Sequence, residues 1–205
     1  MGELCQKGQR KQMADNTPSV ADPGPLGLAG FAMTTFVLSV FNAGLLDGKL
    51  QGVVLPLALF YGGIAQILAG MWEFKRNNLF GAVAFTSYGA FWLAFWYLIE
   101  HASTILVGSD ANKAVGLFLL AWTIITVILL VATTGTNGFL LTLFAVLTVT
   151  FVFLTIGNFA NSTGIIKVGG YFGLATAAIA WYGVLANVTN ATRGKVIFPL
   201  FPFKK

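Results

Sequence analysis

The fold class this sequence predicts is an all-α integral membrane protein with six transmembrane helices per protomer, and three observations predict it. Of the 205 residues, 57% are hydrophobic and only 9% charged, where a soluble domain carries about 25% charged residues. The apolar residues gather into six runs, each of the ~20 residues that a helix needs to cross a bilayer. The joints between runs are short, leaving no stretch for a soluble domain. Backbone groups in lipid must be satisfied within the segment, so runs of this length are helices, and the two-residue alternation of a barrel strand is absent.

The runs cover 25–46, 52–72, 79–99, 113–133, 138–158 and 164–188, joined by 47–51, 73–78, 100–112, 134–137 and 159–163. This divides the chain into a tail at 1–20, expected to be disordered, a membrane transport domain at 21–190 and a basic tail at 191–205. An even number of spans puts both termini on one side. That side carries Lys7, Arg10, Lys11, Lys75, Arg76, Arg193, Lys195, Lys204 and Lys205, against Lys49, Lys113 and Lys167 on the other. Cytoplasmic loops hold the excess of Lys and Arg, so the expected arrangement is a multi-pass protein of the cell membrane with both termini in the cytoplasm.

The net charge of +5 therefore reports orientation, and no nucleic-acid partner is expected. The single cysteine, Cys5, allows no intramolecular disulfide and no cysteine metal site. Gly2 near Cys5 hints at lipidation, but Gln6 stands where the myristoylation pattern has Ser or Thr. Asn161, Asn187 and Asn190 match the glycosylation triplet, although the last two fall on the cytoplasmic side.

Each span has its own signature. Pro23, Gly24 and Pro25 make a rigid entry to the first, within which Phe31, Thr34, Thr35, Leu38, Asn42 and Leu45 form one helical stripe. An unpaired amide in hydrocarbon costs several kcal/mol, so Asn42 and the threonines face either other helices or a watery path. In the second, Gly62, Gln66, Ala69 and Glu73 share a face, and the mid-span Gln66 needs a partner or water. The third holds Thr86, Ser87 and Tyr88, candidates for lining a pore or for bonding between helices. Phe91, Trp92, Phe95, Trp96 and Tyr97 follow and read as an interfacial belt.

The fourth span is the most uniformly apolar, relieved mainly by Trp122, Thr123 and Thr126, and reads as lipid-facing or as a subunit contact carrying little chemistry. The fifth repeats the stripe of the first through Leu147, Thr150, Phe151, Leu154 and Asn158. The sixth opens on Gly169, Gly170 and Gly173, which suit close helix packing, and its Lys167 can snorkel to the interface.

All seven acids, Glu3, Asp15, Asp22, Asp47, Glu73, Glu100 and Asp110, fall in tails, loops or span ends, and the one histidine is His101. No titratable group is expected at mid-membrane. Asp22 and Glu73 are candidates for a pore mouth, with a solvated face as the alternative. No nucleophile–base set shares one depth, no metal-ligand cluster occurs and no phosphate-cradling loop follows a strand, so neither catalysis, a metal nor another cofactor is expected. Hydroxyls, amides and aromatics remain, a lining suited to a small polar or weakly charged solute.

The motifs ADPGPLGLAGF with TTFVLSVFNAGL, then FYGGIAQILAGMWEFKRNNLFGAVAFTSYGAFW, then LTVTFVFLTIGN, resemble in order and spacing those of the acetate uptake transporter family, whose bacterial members are succinate-acetate permeases. The family's entry motif is usually Asn-Pro-Ala-Pro-Leu-Gly-Leu; this chain has Asp22 for the asparagine and Gly24 for the alanine, and an acid there can cap the following helix. The resemblance implies a homohexameric ring in the lipid bilayer with one pore per protomer, carrying acetate, succinate or another small carboxylate. It puts a narrow hydrophobic constriction on Phe31, Tyr88 and Leu147. Thr34, Thr35, Asn42, Gln66, Thr86, Ser87 and Asn158 are carried as solute contacts from polarity and helix face. An ammonia export pore and a membrane sensor or scaffold without flux are the alternative readings.

Overall fold

The computed structural model describes residues 20–203. The expected disordered tail, apart from Val20, and the Gly2 and Cys5 signal lie outside the described residues. Among the described residues six helices are long and apolar enough to cross a membrane: α1 Gly24–Asn42, α2 Gly48–Lys75, α3 Leu79–Glu100, α4 Ala111–Thr133, α5 Gly138–Phe159 and α6 Thr163–Arg193. Each coincides with one expected run.

Local chemistry sets the helix ends. Asp22 Oδ1 accepts the Gly24 N–H at 2.9 Å, ahead of the prolines that α1 tolerates only in its first turn. Asn78, Asn137 and Ser162 cap α3, α5 and α6 by accepting from Gly81, Leu140 and Ile165 N–H. The first span ends at Asn42, four residues before the expected limit, because Gly44 takes a left-handed conformation (φ 71°) and Leu45 N–H turns back to the Val40 carbonyl. Leu45 therefore leaves the predicted stripe and is exposed.

Within α2, Pro56 can give no amide hydrogen, and the stretch Leu57–Ala65 that follows is wound in wider π turns before α geometry resumes at Gln66. Gly62, Gln66, Ala69 and Glu73 are all buried. The expected joint at 73–78 begins later than predicted, since α2 continues to Lys75.

α1 packs on α2 and α6, α6 on α5, α5 on α4 and α2 on α3, while α3 and α4 meet more sparingly. Glycine allows the closest of these approaches. A Cβ on Gly170 of α6 would lie 2.2 Å from the Ala43 nitrogen, and one on Gly30 of α1 would lie 2.5 Å from the Tyr61 carbonyl oxygen of α2.

Hydroxyl pairs then join successive helices. Tyr88 of α3 meets Thr126 of α4 at 2.9 Å, Thr123 of α4 meets Thr155 of α5 at 3.0 Å, and Thr150 of α5 meets Thr176 of α6 at 3.2 Å. The fourth span thus carries more chemistry than its composition suggests. Its other face, with Leu117, Ile124, Ile128 and Val131, is exposed and suits lipid or another protomer.

The C-terminal segment folds back onto the end of the bundle where α1, α3 and α5 begin. Asn190 accepts from the Ile197 and Phe198 amides, Tyr182 donates to the Pro199 carbonyl, and the first amides of α5 donate to Leu200 and Phe201.

Replacing Gly170 by valine is expected to destabilise the bundle by about 1–3 kcal/mol or more, since the clash is with backbone rather than a movable side chain. A lowered thermal midpoint of the detergent-purified protein, compared with Gly48→Ala in open space, checks this.

Candidate functional site

Two cavities run along the bundle. One, of about 400 Å³, lies toward the end that holds Asp22, Arg76, Asn137 and Leu200; it is called here the terminal-side cavity. The other, of about 290 Å³, reaches Gln51, Asn42 and Asn158 toward the opposite end. Phe31, Tyr88 and Leu147 line both.

These three come from α1, α3 and α5 and are buried. The Phe31 and Tyr88 rings stand 5.7 Å apart and tilted by 58°, while Phe144 approaches Tyr88 from α5 at 6.1 Å. The Tyr88 hydroxyl is tied to Thr126, which fixes the ring and leaves its apolar face toward Phe31. Between the two cavities the lining is therefore almost wholly hydrocarbon.

The remaining predicted residues divide. Gln66, Glu73 and Asp22 line the terminal-side cavity; Thr35, Asn42 and Asn158 line the far one. Thr34, Thr86 and Ser87 line neither. Thr34 donates to the Gly30 carbonyl at 2.8 Å, and Thr86 packs on Gly70 of α2, where an added Cβ would fall 2.3 Å from its hydroxyl. Both sit in the α1–α2–α3 packing, but the buried Thr86 hydroxyl has no hydrogen-bond partner, so the expected bond between helices is not formed there.

Glu73 corrects an expectation. It was assigned to a loop with a solvated face as one reading, yet it sits inside α2 and is only 2% exposed. Its Oε2 accepts from Asn78 Nδ2 at 2.9 Å and lies 3.8 Å from Arg76, which pairs with Asp22 at 2.6 Å. Room for the carboxylate exists because position 81 is a glycine, whose missing Cβ would stand 2.9 Å from its Oε1.

Phe91 and Trp92 also depart from the expected interfacial belt. Both are buried and, with Phe95, line the far-side cavity. Phe91 stands within 5.0–6.2 Å of the rings of Trp92, Phe95, Phe118, Trp122 and Phe151. The signal was present: positions 88, 91, 92 and 95 continue one helical face from Tyr88. Exposed Tyr97 alone keeps the character of a belt residue.

Charges of both signs gather at the terminal-side cavity. The N-terminal ends of α1, α3 and α5 all border it, through Gly24, Asn78 with Gly81, and Asn137 with Leu140. Each helix start carries roughly half a positive charge. Arg76 adds a full one, and the carboxylates of Asp22 and Glu73 oppose it.

Six membrane-spanning helices enclosing two cavities that share one ring of apolar side chains define a multi-pass helical membrane protein. The chain belongs to the GPR1/FUN34/yaaH family, whose model matches residues 6–205. It is 42% identical over 189 residues to the ammonia transport outward protein 2 of Saccharomyces cerevisiae, covering 89% of this chain and 66% of that protein. It is 39% identical over 181 residues to the succinate-acetate/proton symporter SatP of Escherichia coli, covering 88% of this chain and 95% of that one. A solved structure of the bacterial acetate channel SatP matches with TM-score 0.82 at 39% identity, over 89% of this chain and 99% of that chain. The chain spans about two thirds of the length of the yeast relatives it matches.

The Tyr88–Thr126 bond is expected to contribute about 1 kcal/mol. Tyr88→Phe and Thr126→Val should each destabilise, and their double variant should cost less than the sum, which a double-mutant cycle of unfolding in detergent checks.

Proposed function

We propose that the protein is a channel or transporter for acetate and other small carboxylates, including succinate, in the cell membrane, with both termini in the cytoplasm. One observation carries the reading: two cavities, one toward each end of the bundle, share Phe31, Tyr88 and Leu147 in their linings. The likeness to proteins named for acetate and succinate supports the substrate class. The excess of Lys and Arg toward the terminal-side end supports the orientation.

The proposed mechanism is a dry gate between polar vestibules. Anions are drawn by the three helix starts into the terminal-side cavity, the inner one in this orientation, then meet a ring without a fixed charge. Stripping water from a carboxylate is far more costly than stripping it from the neutral acid, so a proton accompanying the solute lowers the barrier. In the outer cavity Asn42, Asn158 and Thr35 restore hydrogen bonds. Anion passage in file, with hydroxyl and amide donors replacing water, is the competing route. Ammonia, which the likeness to an outward ammonia transport protein brings forward, would also pass a ring of this kind in its neutral form. We further propose that six protomers form a ring around the exposed apolar faces of α2 and α4, each keeping its own pathway.

Purified protein in liposomes should take up labelled acetate above protein-free vesicles, and excess succinate should compete with it. Phe31→Ala, Tyr88→Ala and Leu147→Ala should each change the rate severalfold by widening the ring. Uptake that follows a pH gradient and ignores membrane potential marks a neutral permeant unit; uptake that follows potential marks the anion. Ammonia flux without acetate competition would replace the carboxylate reading, and absence of any flux would remove it. Native mass spectrometry is expected to give six times the protomer mass.

A further inference from the structure

The carboxylate of Glu73 is the one buried acid among the described residues, and a solute gate that works by dehydration assigns it no task. It lines the inner cavity rather than a packing interface alone. On the same face of α2, seven residues nearer the ring, stands Gln66, 1% exposed, whose Oε1 has no hydrogen-bond partner. Seven helical residues span ~10 Å, so an entering solute passes Glu73 first, then Gln66, then Phe31 and Tyr88.

We propose that Glu73 is the proton-exchange group of the inner cavity and Gln66 the receptor for the neutral acid it forms, an inference that rests on the carboxylate reading above. Two carboxylates brought together in a cavity cannot readily both stay ionised, so one proton is held between solute and side chain. The exchange balances simply. The Glu73 carboxyl loses its proton to a carboxylate oxygen of the solute, leaving a Glu73 carboxylate and a neutral acid, and Glu73 regains a proton from water on the inner side. Entry from outside runs in reverse, the acid leaving its proton on Glu73.

A primary carboxamide has one donor group and one acceptor, and so has a carboxylic acid. Gln66 can therefore accept the acid O–H and donate to its carbonyl, whereas an ionised carboxylate would leave the orphan Oε1 of Gln66 facing another acceptor. The surroundings of Glu73 fit a group that changes charge without being locked. From α3 it meets only the neutral amide of Asn78. Its own helix supplies Arg76 at 3.8 Å, but that guanidinium is held at 2.6 Å by Asp22 from the entry segment. α5 and α6 bring only the amides of Asn137 and Asn187 to this cavity, and Tyr88 at its far end is tied to Thr126. Asp22 thus occupies the cation that would otherwise pin Glu73.

The test compares the unaltered protein with Glu73→Gln and Glu73→Asp in liposomes, reading acetate uptake under a pH gradient, its dependence on inner pH, and the carboxyl infrared band before and after acetate is added. Glu73→Gln should lower pH-driven uptake about 100-fold, the lower range of what a positioned acid or base contributes, and flatten the pH dependence. Glu73→Asp should restore the pH dependence, and the unaltered protein should show an acetate-dependent carboxyl band that Glu73→Gln lacks. An unchanged pH profile in Glu73→Gln, or equal loss in both variants with no acetate-dependent band, overturns the proposal. Should the unaltered protein carry no acetate while the band still responds, the transport reading fails and the exchange at Glu73 stands; no flux and no band removes both.

Discussion

The pathway depends on how closely α1 lies against its neighbours. Phe31 can meet Tyr88 and Leu147 only if α1 sits deep in the bundle, and its depth is set by two contacts in which one partner has no side chain. Gly30 rests on the Tyr61 carbonyl of α2, and Gly170 of α6 rests on the backbone at Ala43. In lipid there is no hydrophobic drive to press helices together, so dispersion between closely approaching backbones supplies the attraction. A methyl group at either point would push α1 outward and open the ring. The closeness of Phe31 to Tyr88 is thus a consequence of where the glycines stand on α1 and α6.

The same depth creates a demand for hydrogen bonds, and threonine meets most of it locally. Thr34, Thr123, Thr126, Thr150 and Thr176 each donate to the carbonyl four residues back, a bond that needs no neighbour and costs the helix little. Four of these also join a hydroxyl on another helix or lie beside one that does. Most buried polar atoms find partners in this way. Among the exceptions, Thr35, Gln66 and Trp92 belong to side chains that border a cavity, whereas Thr86 packs beside Gly70 and borders neither.

Much of this was legible in the sequence because period and length report burial in lipid directly. All six spans were readable, as was the shared face of Gly62, Gln66, Ala69 and Glu73, since both follow from spacing. The rest required three-dimensional neighbours. Thr34 and Thr35 are adjacent and chemically alike, yet one turns to α2 and the other to a cavity. Phe91 and Trp92 looked interfacial because they lie late in α3, but the bundle closes over them with Phe118, Trp122 and Phe151 from two other helices. Glu73 looked solvated because charged residues end helices in water; only the approach of α3 at Gly81, where no Cβ stands in the way, makes an enclosed place for it. The return of the C-terminal segment onto α5 could not be read from a short basic tail.

Topology also explains why the two cavities differ in character. With six antiparallel spans, α1, α3 and α5 start at one end, and their positive ends border the larger cavity. Phe31, Tyr88 and Leu147 ride on these same three helices, so each helix contributes one side chain to the shared apolar lining and its start to the mouth of the larger cavity. An anion entering there gains from all three dipoles before it has lost its water, and the attraction fades within the first turn of each helix. By the depth of the ring the field has gone and only hydrocarbon remains. On the proposed mechanism a charge is therefore welcomed at the mouth and rejected at the apolar ring, and the face of α2 that holds Glu73 and Gln66 lies between the two.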